Sequence, residues 1–405
     1  MGPLDGMKVL DLTQYEAGTT CTQYLAWFGA TVYKVEKPGR GDPGRRSSAI
    51  DARDGLYFLG FNHNKQSVAI DLDTPEGRSL FLQLVPKVDA VVENFSLGTM
   101  EKLGLGYDVL KQTNPAVIYA TIKGFGTTGP YKDFKCFDWV AQAAGGAFSV
   151  TGEAEGTPMR PGPTYADTGT GMHAAMGVLA AYIHKLKTGK GQVVEVSMQE
   201  TIVNFMKMPL STKERHLPKP IPRTGARFVP TATLFPCAPG GPNDYVFIMV
   251  VTDRMWDDFV MAIDRPDMAA DERFTSWPAR VEHADALHAE ISAWTRQRTK
   301  WEAMEYLGAR GVPVSAVYDT TDLFTNRHLQ ERDAIITYEH PTRGEISEPA
   351  PPIRLSDSEV PLLPAPLLGQ HTAEVLTAEL GLTRGQVDEL AKKAVVGVLA
   401  PAVTV

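Results

Sequence analysis

Short apolar segments typical of buried strands alternate with helix-like segments through the first half of the chain, and this alternation restricts its fold most strongly. Met7–Leu12 and Thr31–Glu36 flank a helix-like stretch over 20–28. A further helix is predicted to begin at Pro75, with Thr74 as its N-cap. Strand, helix and strand at this spacing predict an α/β fold with an open, largely parallel sheet.

Three further strands and one long helix extend this pattern. The strands are predicted at Val88–Phe95, Ala116–Ile122 and Gln192–Met198. Between the last two, a segment that begins at Asp167 is rich in Ala, Leu and Met and predicts a long buried helix. A Lys-Thr-Gly-Lys-Gly run is expected to end that helix.

The length of 405 residues exceeds what one hydrophobic core usually supports, so two domains are expected. A region rich in Pro, Lys and Arg without clear periodicity indicates a connection between them. After it, Tyr245–Val251 is typical of a strand and helical segments follow. We predict a large domain over 1–208, a linker over 209–230, a smaller α+β domain over 231–325 and a return to the large domain over 326–405.

Charge and cysteine usage exclude several classes of protein. A formal charge of −8 disfavours binding to nucleic acid, which normally needs a basic surface. Cys21, Cys136 and Cys237 are too few and too far apart for a disulfide framework or a CxxC metal site, and no histidine lies in a metal-ligand pattern. We therefore expect no metal. No signal-like segment and no apolar run of about 18 residues is present, so a cytoplasmic protein without a membrane segment is predicted.

The loop after the first strand does not have the sequence of a dinucleotide site. After Leu12 the chain continues as TQYEAGTT, in which Gly18 is the single glycine. Without a GxGxxG pattern the backbone cannot approach a pyrophosphate in the usual way, so nicotinamide chemistry is disfavoured. A GxxxxGK[ST] motif is also missing from the sequence, so phosphoryl transfer from ATP has no support.

The segment PGPTYADTGTGMHAAMG carries the most informative carboxylate, Asp167. One interpretation makes Asp167 the N-cap of the following helix. In the other, helix-start amides together with the small Gly169 and Gly171 leave room for a ligand, and Asp167 attacks a thioester as a nucleophile. Spacing leaves both open. His173 lies six residues further on, which is not side-by-side helical spacing, so a packing role is expected for it.

Nine segments, spread in order through nearly the whole chain, match segments of one known family. They are PLDGMKVLDLT, FGATVYKVEKP, GRGDPGR, FNHNKQSVAIDLDTPEG, VENFSLGTMEKLGLGYD, NPAVIYATIKGFG, DTGTGMH, KTGKGQVVEVSMQ and, at 365–381, APLLGQHTAEVLTAELG. Together they resemble the family III CoA-transferases, a group that also has a racemase branch. The resemblance implies an interlocked homodimer, with a Rossmann-like large domain and a smaller domain in each subunit.

The resemblance also implies a mechanism. Asp167 matches the catalytic aspartate, whose carboxylate takes the acyl group from an acyl-CoA as a mixed anhydride and then carries CoA as an aspartyl thioester. An incoming carboxylic acid reverses both steps. Coenzyme A is thus substrate and product, and neither a metal nor a nicotinamide cofactor is implied.

Several positions match residues around the CoA site of that family. Asn94 and Phe95 match positions that line it, and Asp138 matches an acidic position near the nucleophile. Basic positions that contact the phosphates or the adenine end correspond to Lys37, Lys102 and Lys135, with a weaker case for Arg45 and Arg46.

Three departures from the family pattern bear on the substrate. Glu16 stands where formyl-CoA transferases carry a glutamine, so it is expected to be protonated, turned away from Asp167 or suited to another substrate. A glycine-run loop is missing, with only Gly240 and Gly241 adjacent in that region. Cys136 stands where the racemase branch has a histidine, which argues against proton exchange.

The acyl group stays open at this point. Succinyl-CoA is one donor suggested by the family, and Arg160 and Arg227 are candidates to meet a second carboxylate. The predicted function is a CoA-transferase acting on an acyl-CoA and a carboxylic acid. The alternatives are an acyl-CoA racemase or epimerase, and a CoA-binding protein without turnover.

Overall fold

The computed structural model of the protein describes residues 2–51, 53–211 and 220–399. The strands in these residues are β1 (Lys8–Asp11), β2 (Thr31–Glu36), β3 (Lys65–Ile70), β4 (Ala90–Glu93), β5 (Ile118–Lys123), β6 (Val193–Ser197), β7 (Arg227–Val229), β8 (Ala232–Pro236), β9 (Tyr245–Met249), β10 (Val314–Ala316), β11 (Ile335–His340), β12 (Gly344–Pro349) and β13 (Val396–Gly397).

The helices of the described residues, apart from three short 3₁₀ turns, follow the same chain order. They are α1 (Ala17–Trp27), α2 (Leu56–Gly60), α3 (Pro75–Leu84), α4 (Thr99–Lys102), α5 (Tyr107–Thr113), α6 (Asp138–Ala144), α7 (Tyr165–Thr188), α8 (Met198–Phe205), α9 (Lys207–Leu210), α10 (Asp253–Ala262), α11 (Asp267–Ala270), α12 (Trp277–Glu282), α13 (Ala284–Thr295), α14 (Lys300–Gly308), α15 (Thr320–Thr325), α16 (Arg327–Glu331), α17 (Thr372–Leu380) and α18 (Arg384–Lys392).

The described residues form two compact units, and the first contains those that lie within 1–148, 160–218 and 336–405. Its sheet has the strand order β13-β3-β2-β1-β4-β5-β6. All neighbours from β3 to β6 are parallel, and only the edge strand β13 is antiparallel. The predicted α/β fold class is therefore confirmed. Strand order reverses between β1 and β4, and in such sheets ligands bind beyond the carboxyl ends of the strands at this point.

Helices cover both faces of this sheet, which explains why its central strands are almost continuously apolar. Val9 and Val92 face a core that contains Leu25 of α1 and Val178 of α7. On the opposite face, Leu10, Val35 and Val91 join a core with Phe81 of α3 and Leu376 of α17. Alternation along each strand thus divides its side chains between two cores.

Local sequence signals account for several boundaries in this unit. The Thr74 hydroxyl accepts a hydrogen bond from the Gly77 N–H at 3.0 Å, so the predicted cap before Pro75 is confirmed. The predicted end of the long helix is also confirmed, because Gly189 adopts a left-handed conformation with φ +71°. Strand β3 was missed in the sequence, since it begins with polar residues and has no clear alternation.

The second unit contains the described residues within 149–159 and 219–335. Strands β7 to β10 form an antiparallel sheet in the order β10-β9-β8-β7, and helices α10 to α16 belong to this unit. Phe235 and Ile248 of the sheet share a core with Trp256 and Phe259 of α10. The Gly240–Gly241 pair lies in the turn between β8 and β9, where the Gly241 N–H donates to Asp244 at 2.7 Å.

These ranges differ in detail from the four predicted ones. Segment 149–159 lies within the predicted 1–208 range but belongs to the second unit, because Arg223 donates to the Glu153 carbonyl at 3.0 Å and the Gly225 N–H donates to the Gly152 carbonyl at 3.0 Å. Strand β7 lies within the predicted linker, whose residues 212–219 are outside the described residues. No helix of the described residues is both long and apolar enough to cross a membrane.

Candidate active site

A cavity of about 380 Å³ opens beyond the carboxyl ends of β1, β4 and β5 in the first unit. The loop after β1 contributes one wall and the loop after β4 another. Its lining residues are Gln14, Tyr15, Glu16, Ala17, Asn94, Phe95, Ser96, Leu97, Thr99, Ile122, Lys123, Gly124, Lys132, Asp133, Phe134, Lys135, Cys136, Phe137, Asp167 and Met198. The cavity therefore occupies the position where an open α/β sheet binds its ligand.

Asp167 is the third residue of α7, and its side chain reaches this cavity. The N-cap of α7 is Thr164, so the interpretation of Asp167 as the helix cap is wrong. Burial raises the pKa of Asp167 to about 8, with the negative charges of Glu16 and Asp138 adding to the effect. At neutral pH the carboxyl group of the free protein is largely protonated and must ionise before it can act as a nucleophile.

Asp138 holds the beginning of α7. One oxygen of its buried carboxylate accepts hydrogen bonds from the backbone N–H groups of Ala166 at 2.9 Å and Asp167 at 3.1 Å. The other oxygen accepts from the Gln142 amide at 2.6 Å. First-turn amides of a helix need such acceptors. Asp138 does not line the cavity, so it lies behind Asp167 rather than on the ligand side.

Glu16 is a third carboxyl group of the site, beside Asp167 and Asp138, and it is buried. Its Oε1 accepts hydrogen bonds from the hydroxyls of Thr168 at 2.8 Å and of Thr164. The Tyr57 hydroxyl lies 3.5 Å from its second oxygen. Burial raises the pKa of Glu16, although the threonine hydrogen bonds favour its ionised form. Glu16 is thus held at the start of α7 by Thr164 and Thr168, and the direction of its pKa shift agrees with the first of the three expectations, a protonated side chain.

Tyr57 is a site residue that sequence reasoning missed. It lies on the short helix α2, and no pattern in GLYFLGFN distinguishes it from the aromatic residues beside it. Burial, followed by the charges of Glu16 and Asp167, raises the pKa of its hydroxyl, which therefore stays protonated and can donate a hydrogen bond. Only the folded arrangement of α2 next to the β1–α1 loop brings it to the carboxylates.

Asn94 and Phe95 form the wall that follows β4. The Asn94 side chain accepts from the Gln14 N–H and donates to the Gln14 carbonyl, both at 2.8 Å, so it fixes the loop after β1. The backbone of Phe95 is held by Glu93, which accepts its N–H at 2.8 Å, and by Lys123, which donates to its carbonyl at 2.7 Å. Phe95 also lines a second cavity of about 220 Å³.

The three candidate lysines occupy different environments. Lys135 lines the larger cavity and donates to the Ser96 hydroxyl at 2.8 Å. Lys37 lines the smaller one, where its ammonium group pairs with Asp73 and lies 3.7 Å from Asp71. Lys102 is exposed at the end of α4 and lines neither cavity. The structure thus brings Lys135 and Lys37 to cavities and leaves Lys102 outside them.

Arginines considered for phosphates or a second carboxylate have other partners. Arg45 is buried and pairs with Glu36 at 2.7 Å and Asp54 at 2.6 Å, so its suggested phosphate role is wrong because no face of it is free. Arg46 is exposed. Two further arginines lie elsewhere: Arg160 stacks 4.2 Å above the Trp139 ring, and Arg227, in the second unit, pairs with Asp285 at 2.5 Å.

The glycines after Asp167 serve helix packing. A Cβ atom on Gly171 would lie 2.5 Å from the Ala17 carbonyl oxygen, and one on Gly169 would lie 2.6 Å from the Phe205 ring. The expectation that these glycines leave room for a ligand is therefore wrong. His173 donates from Nδ1 to the Gly169 carbonyl at 2.7 Å, and its Nε2 lies 3.3 Å from the Asn204 amide nitrogen, so the packing role predicted for it is confirmed.

Cys136 lies in the cavity wall beside the nucleophile. Burial raises the pKa of its thiol to about 12, with Asp167 and Asp138 contributing. A thiol with this pKa is protonated at neutral pH and is a weak nucleophile. Among the described residues, no cluster of three or more His, Cys, Asp or Glu side chains is arranged to hold a metal ion.

Comparison with known proteins identifies the family. The sequence model of CoA-transferase family III matches residues 4–372. The chain belongs to this family. The formyl-CoA:oxalate CoA-transferase of Streptomyces avermitilis is 37% identical over 394 residues, which cover 94% of this chain and 96% of that protein. That of Rhodopseudomonas palustris is 36% identical over 409 residues, with 96% of each chain covered.

A solved structure has the same fold. A CAIB/BAIF family protein from Brucella suis superposes with a TM-score of 0.83 at 30% identity, covering 93% of this chain and 99% of that one. The predictions of a family III CoA-transferase and of an enzyme are therefore confirmed. Coenzyme A follows as substrate and product of a CoA-transferase.

Proposed function

We propose that this family III enzyme moves CoA from an acyl-CoA to a free carboxylic acid with Asp167 as the nucleophile. The observation that carries the proposal is the position of Asp167, at the first turn of α7 and on the wall of the 380 Å³ cavity. Partial positive charge at a helix start stabilises the carboxylate and the oxyanion that forms beside it.

In the first half of the proposed reaction, an Asp167 oxygen attacks the thioester carbon of the donor. The carbon–sulfur bond breaks, CoA leaves as a thiolate and a mixed anhydride forms. The thiolate then attacks the aspartyl carbonyl carbon, so that the anhydride carbon–oxygen bond breaks and the first acid leaves. An aspartyl-CoA thioester remains on Asp167.

In the second half, the acceptor carboxylate attacks the carbonyl carbon of this thioester. The carbon–sulfur bond breaks, the CoA thiolate leaves, and a second anhydride forms between the acceptor and Asp167. Attack of the thiolate on the acyl carbon of that anhydride gives the new acyl-CoA and frees Asp167. Retention of CoA beside the anhydride makes each return step effectively intramolecular. Exclusion of water protects the anhydride from hydrolysis.

We propose that the two cavities together hold CoA, since both are lined by Gln14, Phe95 and Thr99. Lys135 and Lys37 supply cationic groups at their walls, and Lys102 would require movement of its exposed side chain. Lys135→Ala should raise the KM for acyl-CoA about tenfold with little change in kcat. An equal effect of Lys190→Ala, at an exposed site outside both cavities, would argue against this assignment.

A homodimer is the proposed assembly, as in the interlocked dimer that the family resemblance implies. It is supported by an exposed apolar stripe on α7 formed by Met172, Met176, Ile183 and Leu186, which are 42–68% exposed in the single chain. Such a stripe usually marks an interface. Sedimentation velocity should give a dimer, and a monomer at micromolar concentration would contradict it.

A cytoplasmic location is likewise proposed, and cell fractionation tests it.

The donor and acceptor acids are proposed only as a class, with succinyl-CoA as one member to test. Intact and peptide mass spectrometry after incubation with a panel of acyl-CoAs gives the decisive measurement. A CoA adduct should appear on the Asp167 peptide, disappear in Asp167→Ala and be discharged by a carboxylic acid. Tight CoA binding without any adduct would favour the binding role. Exchange of the alpha proton with deuterated solvent would favour the racemase.

A further inference from the structure

The loop over 12–16, between β1 and α1, has a backbone that needs support. Gln14, Tyr15 and Glu16 all line the larger cavity. Tyr15 has φ +60°, a left-handed conformation that residues with a side chain rarely adopt and that costs free energy. Something in the surrounding structure must therefore compensate for this conformation.

A buried ion pair lies directly beneath the loop. Lys34 of β2 and Asp42 are each 1% exposed, and their charged groups are 2.9 Å apart. The Lys34 ammonium donates to the Thr13 carbonyl at 2.8 Å, and the Asp42 carboxylate accepts from the Tyr15 N–H at 3.1 Å. Each member of the pair thus contacts the loop backbone on one side of Gln14.

The pair is itself held by neighbouring buried charges. The Asp42 N–H donates to Glu36 at 2.9 Å, and Glu36 pairs with Arg45. On the other side, Asp11 accepts from the Thr13 hydroxyl and pairs with Lys65 at 3.0 Å. The loop is therefore connected to the ends of β1, β2 and β3 by charged groups that cannot move into water without breaking several contacts.

Stability alone gives little reason for this arrangement. Replacement of a buried ion pair by apolar residues of similar size is often neutral or stabilising, because desolvation offsets the attraction between the charges. A directional contact with one loop is what apolar residues could not supply. Asp42 also lines the smaller cavity, whereas Lys34 lines neither, so the contribution of Lys34 to the site would have to pass through the loop.

We propose that Lys34 and Asp42 are positioning residues that fix the 12–16 loop so that Tyr15 and Glu16 face Asp167. The reaction they serve is the one proposed above, and this inference rests on it. The pair acts on the loop backbone, through the Thr13 carbonyl and the Tyr15 N–H.

Three variants test the proposal. Lys34→Met removes the cation and leaves the Asp42 carboxylate buried without it, which destabilises the fold. The double variant Lys34→Met/Asp42→Asn removes both charges and keeps an amide oxygen for the Tyr15 N–H. Asp42→Ala removes that oxygen as well. Lys8→Met is the matched control, because Lys8 pairs with Glu379 at 2.6 Å at the opposite end of β1.

Hydrogen exchange followed by mass spectrometry measures how firmly the 12–16 loop is held, and it does not depend on CoA transfer. In the double variant, peptides that contain residues 12–16 should exchange at least tenfold faster, with the rest of the first unit unchanged. Lys8→Met should leave these peptides as in the wild type. Unchanged loop exchange in a folded double variant would overturn the proposal.

Steady-state kinetics with saturating acyl-CoA then tests the consequence for the site. The kcat of the double variant should fall about tenfold while its KM changes less than threefold. Asp42→Ala, which also removes the acceptor of the Tyr15 N–H, should lose more activity than the double variant. A loosened loop with wild-type kcat would overturn the positioning role. If the wild-type protein itself transfers no CoA, the proposed function fails, whereas the exchange measurement still decides whether the pair holds the loop.

Discussion

Ion pairs differ in burial between the carboxyl-terminal edge of the parallel sheet and the second unit. At the sheet edge, the Lys34–Asp42 and Lys65–Asp11 pairs are at most 1% exposed. In every ion pair identified among the described residues of the second unit, at least one side chain is 20% exposed or more. Buried charge is costly, so its concentration beneath the cavity indicates that this edge is built for preorganised polar contacts.

The carboxyl groups that line the candidate active site also differ from those of the second unit. Burial raises the pKa of Asp167 and of Glu16 in the first unit. In the second unit, hydrogen bonds from neighbouring arginines lower the pKa of Asp267, Asp271 and Asp285. A raised pKa keeps a carboxyl group reactive at the cost of stability, whereas a lowered one contributes to stability. Four predictions test this contrast.

The largest effect is expected at Asp138. Asp138→Ala removes the acceptor for the first amides of α7, so Asp167 should shift and kcat should fall about 100-fold. Asp138→Asn keeps one oxygen acceptor and should lose much less. Kinetic measurements at pH 6–9 compare the two with Asp108→Ala, an exposed first-turn aspartate of α5. Equal losses in both Asp138 variants would show that its charge, rather than its hydrogen bonds, is what matters.

Glu16→Gln should move the pH dependence of the reaction. Asp167 acts when ionised, so activity is present above its raised pKa of about 8 and is lost as the pH falls through that value. The amide can still accept from Thr164 and Thr168 but carries no charge. The pKa of Asp167 should then fall, and the acidic limb of the kcat/KM profile, which reports the free enzyme, should move about one pH unit lower. Glu389→Gln, on the surface of α18, should leave the acidic limb of the profile in place. If the acidic limb does not move in Glu16→Gln either, Glu16 is uncharged beside the nucleophile in the wild type.

Asp167→Asn should stabilise the protein in one pH window. The pKa of Asp167 is raised in the folded protein, so between about pH 4 and 8 the wild type loses stability as the unfolded chain ionises first. The melting temperature of Asp167→Asn should exceed that of the wild type by an amount that grows from pH 4 to pH 8. Asp271→Asn in the second unit should show the opposite sign, because the pKa of Asp271 is lowered to about 2 and its stabilisation is present above pH 4. A constant difference across pH for Asp167→Asn would contradict its raised pKa.

The sequence was sufficient to predict the parallel sheet, since its strands are short apolar runs separated by helix signals such as Thr74 and Pro75. Local chemistry also predicted the end of α7. The position of Asp138 behind Asp167 was accessible only through the family resemblance, because the residues between Asp138 and Ala166, 28 positions apart, give no sign that the two meet. Local sequence does not encode such contacts, which depend on how helices pack.

Sequence reasoning failed mainly in recognising which charged side chains are buried. Arg45 was considered as a phosphate ligand beside the basic positions that the family resemblance implies, yet its guanidinium group pairs with Glu36 beneath the loop. Similarly, Gly169 and Gly171 looked like space for a ligand but are sites of close helix contact. Residue type gives the chemistry that a side chain can perform, and only tertiary packing decides where that side chain is used.

The smallest effect is expected at the surface of the second unit. Arg265 pairs with Asp267 at 2.8 Å and with Glu290 at 2.9 Å, and its side chain is 35% exposed. Arg265→Ala should cost at most about 1 kcal/mol of stability, and less in high salt, because water and ions screen exposed pairs. Urea unfolding followed by tryptophan fluorescence reports mainly on this unit, which contains four of the six tryptophans. A loss comparable to that of Lys34→Met, for which several kcal/mol are expected, would show that the two regions do not differ in how charge supports the fold, and the contrast between a strained site and a relaxed unit would have to be abandoned.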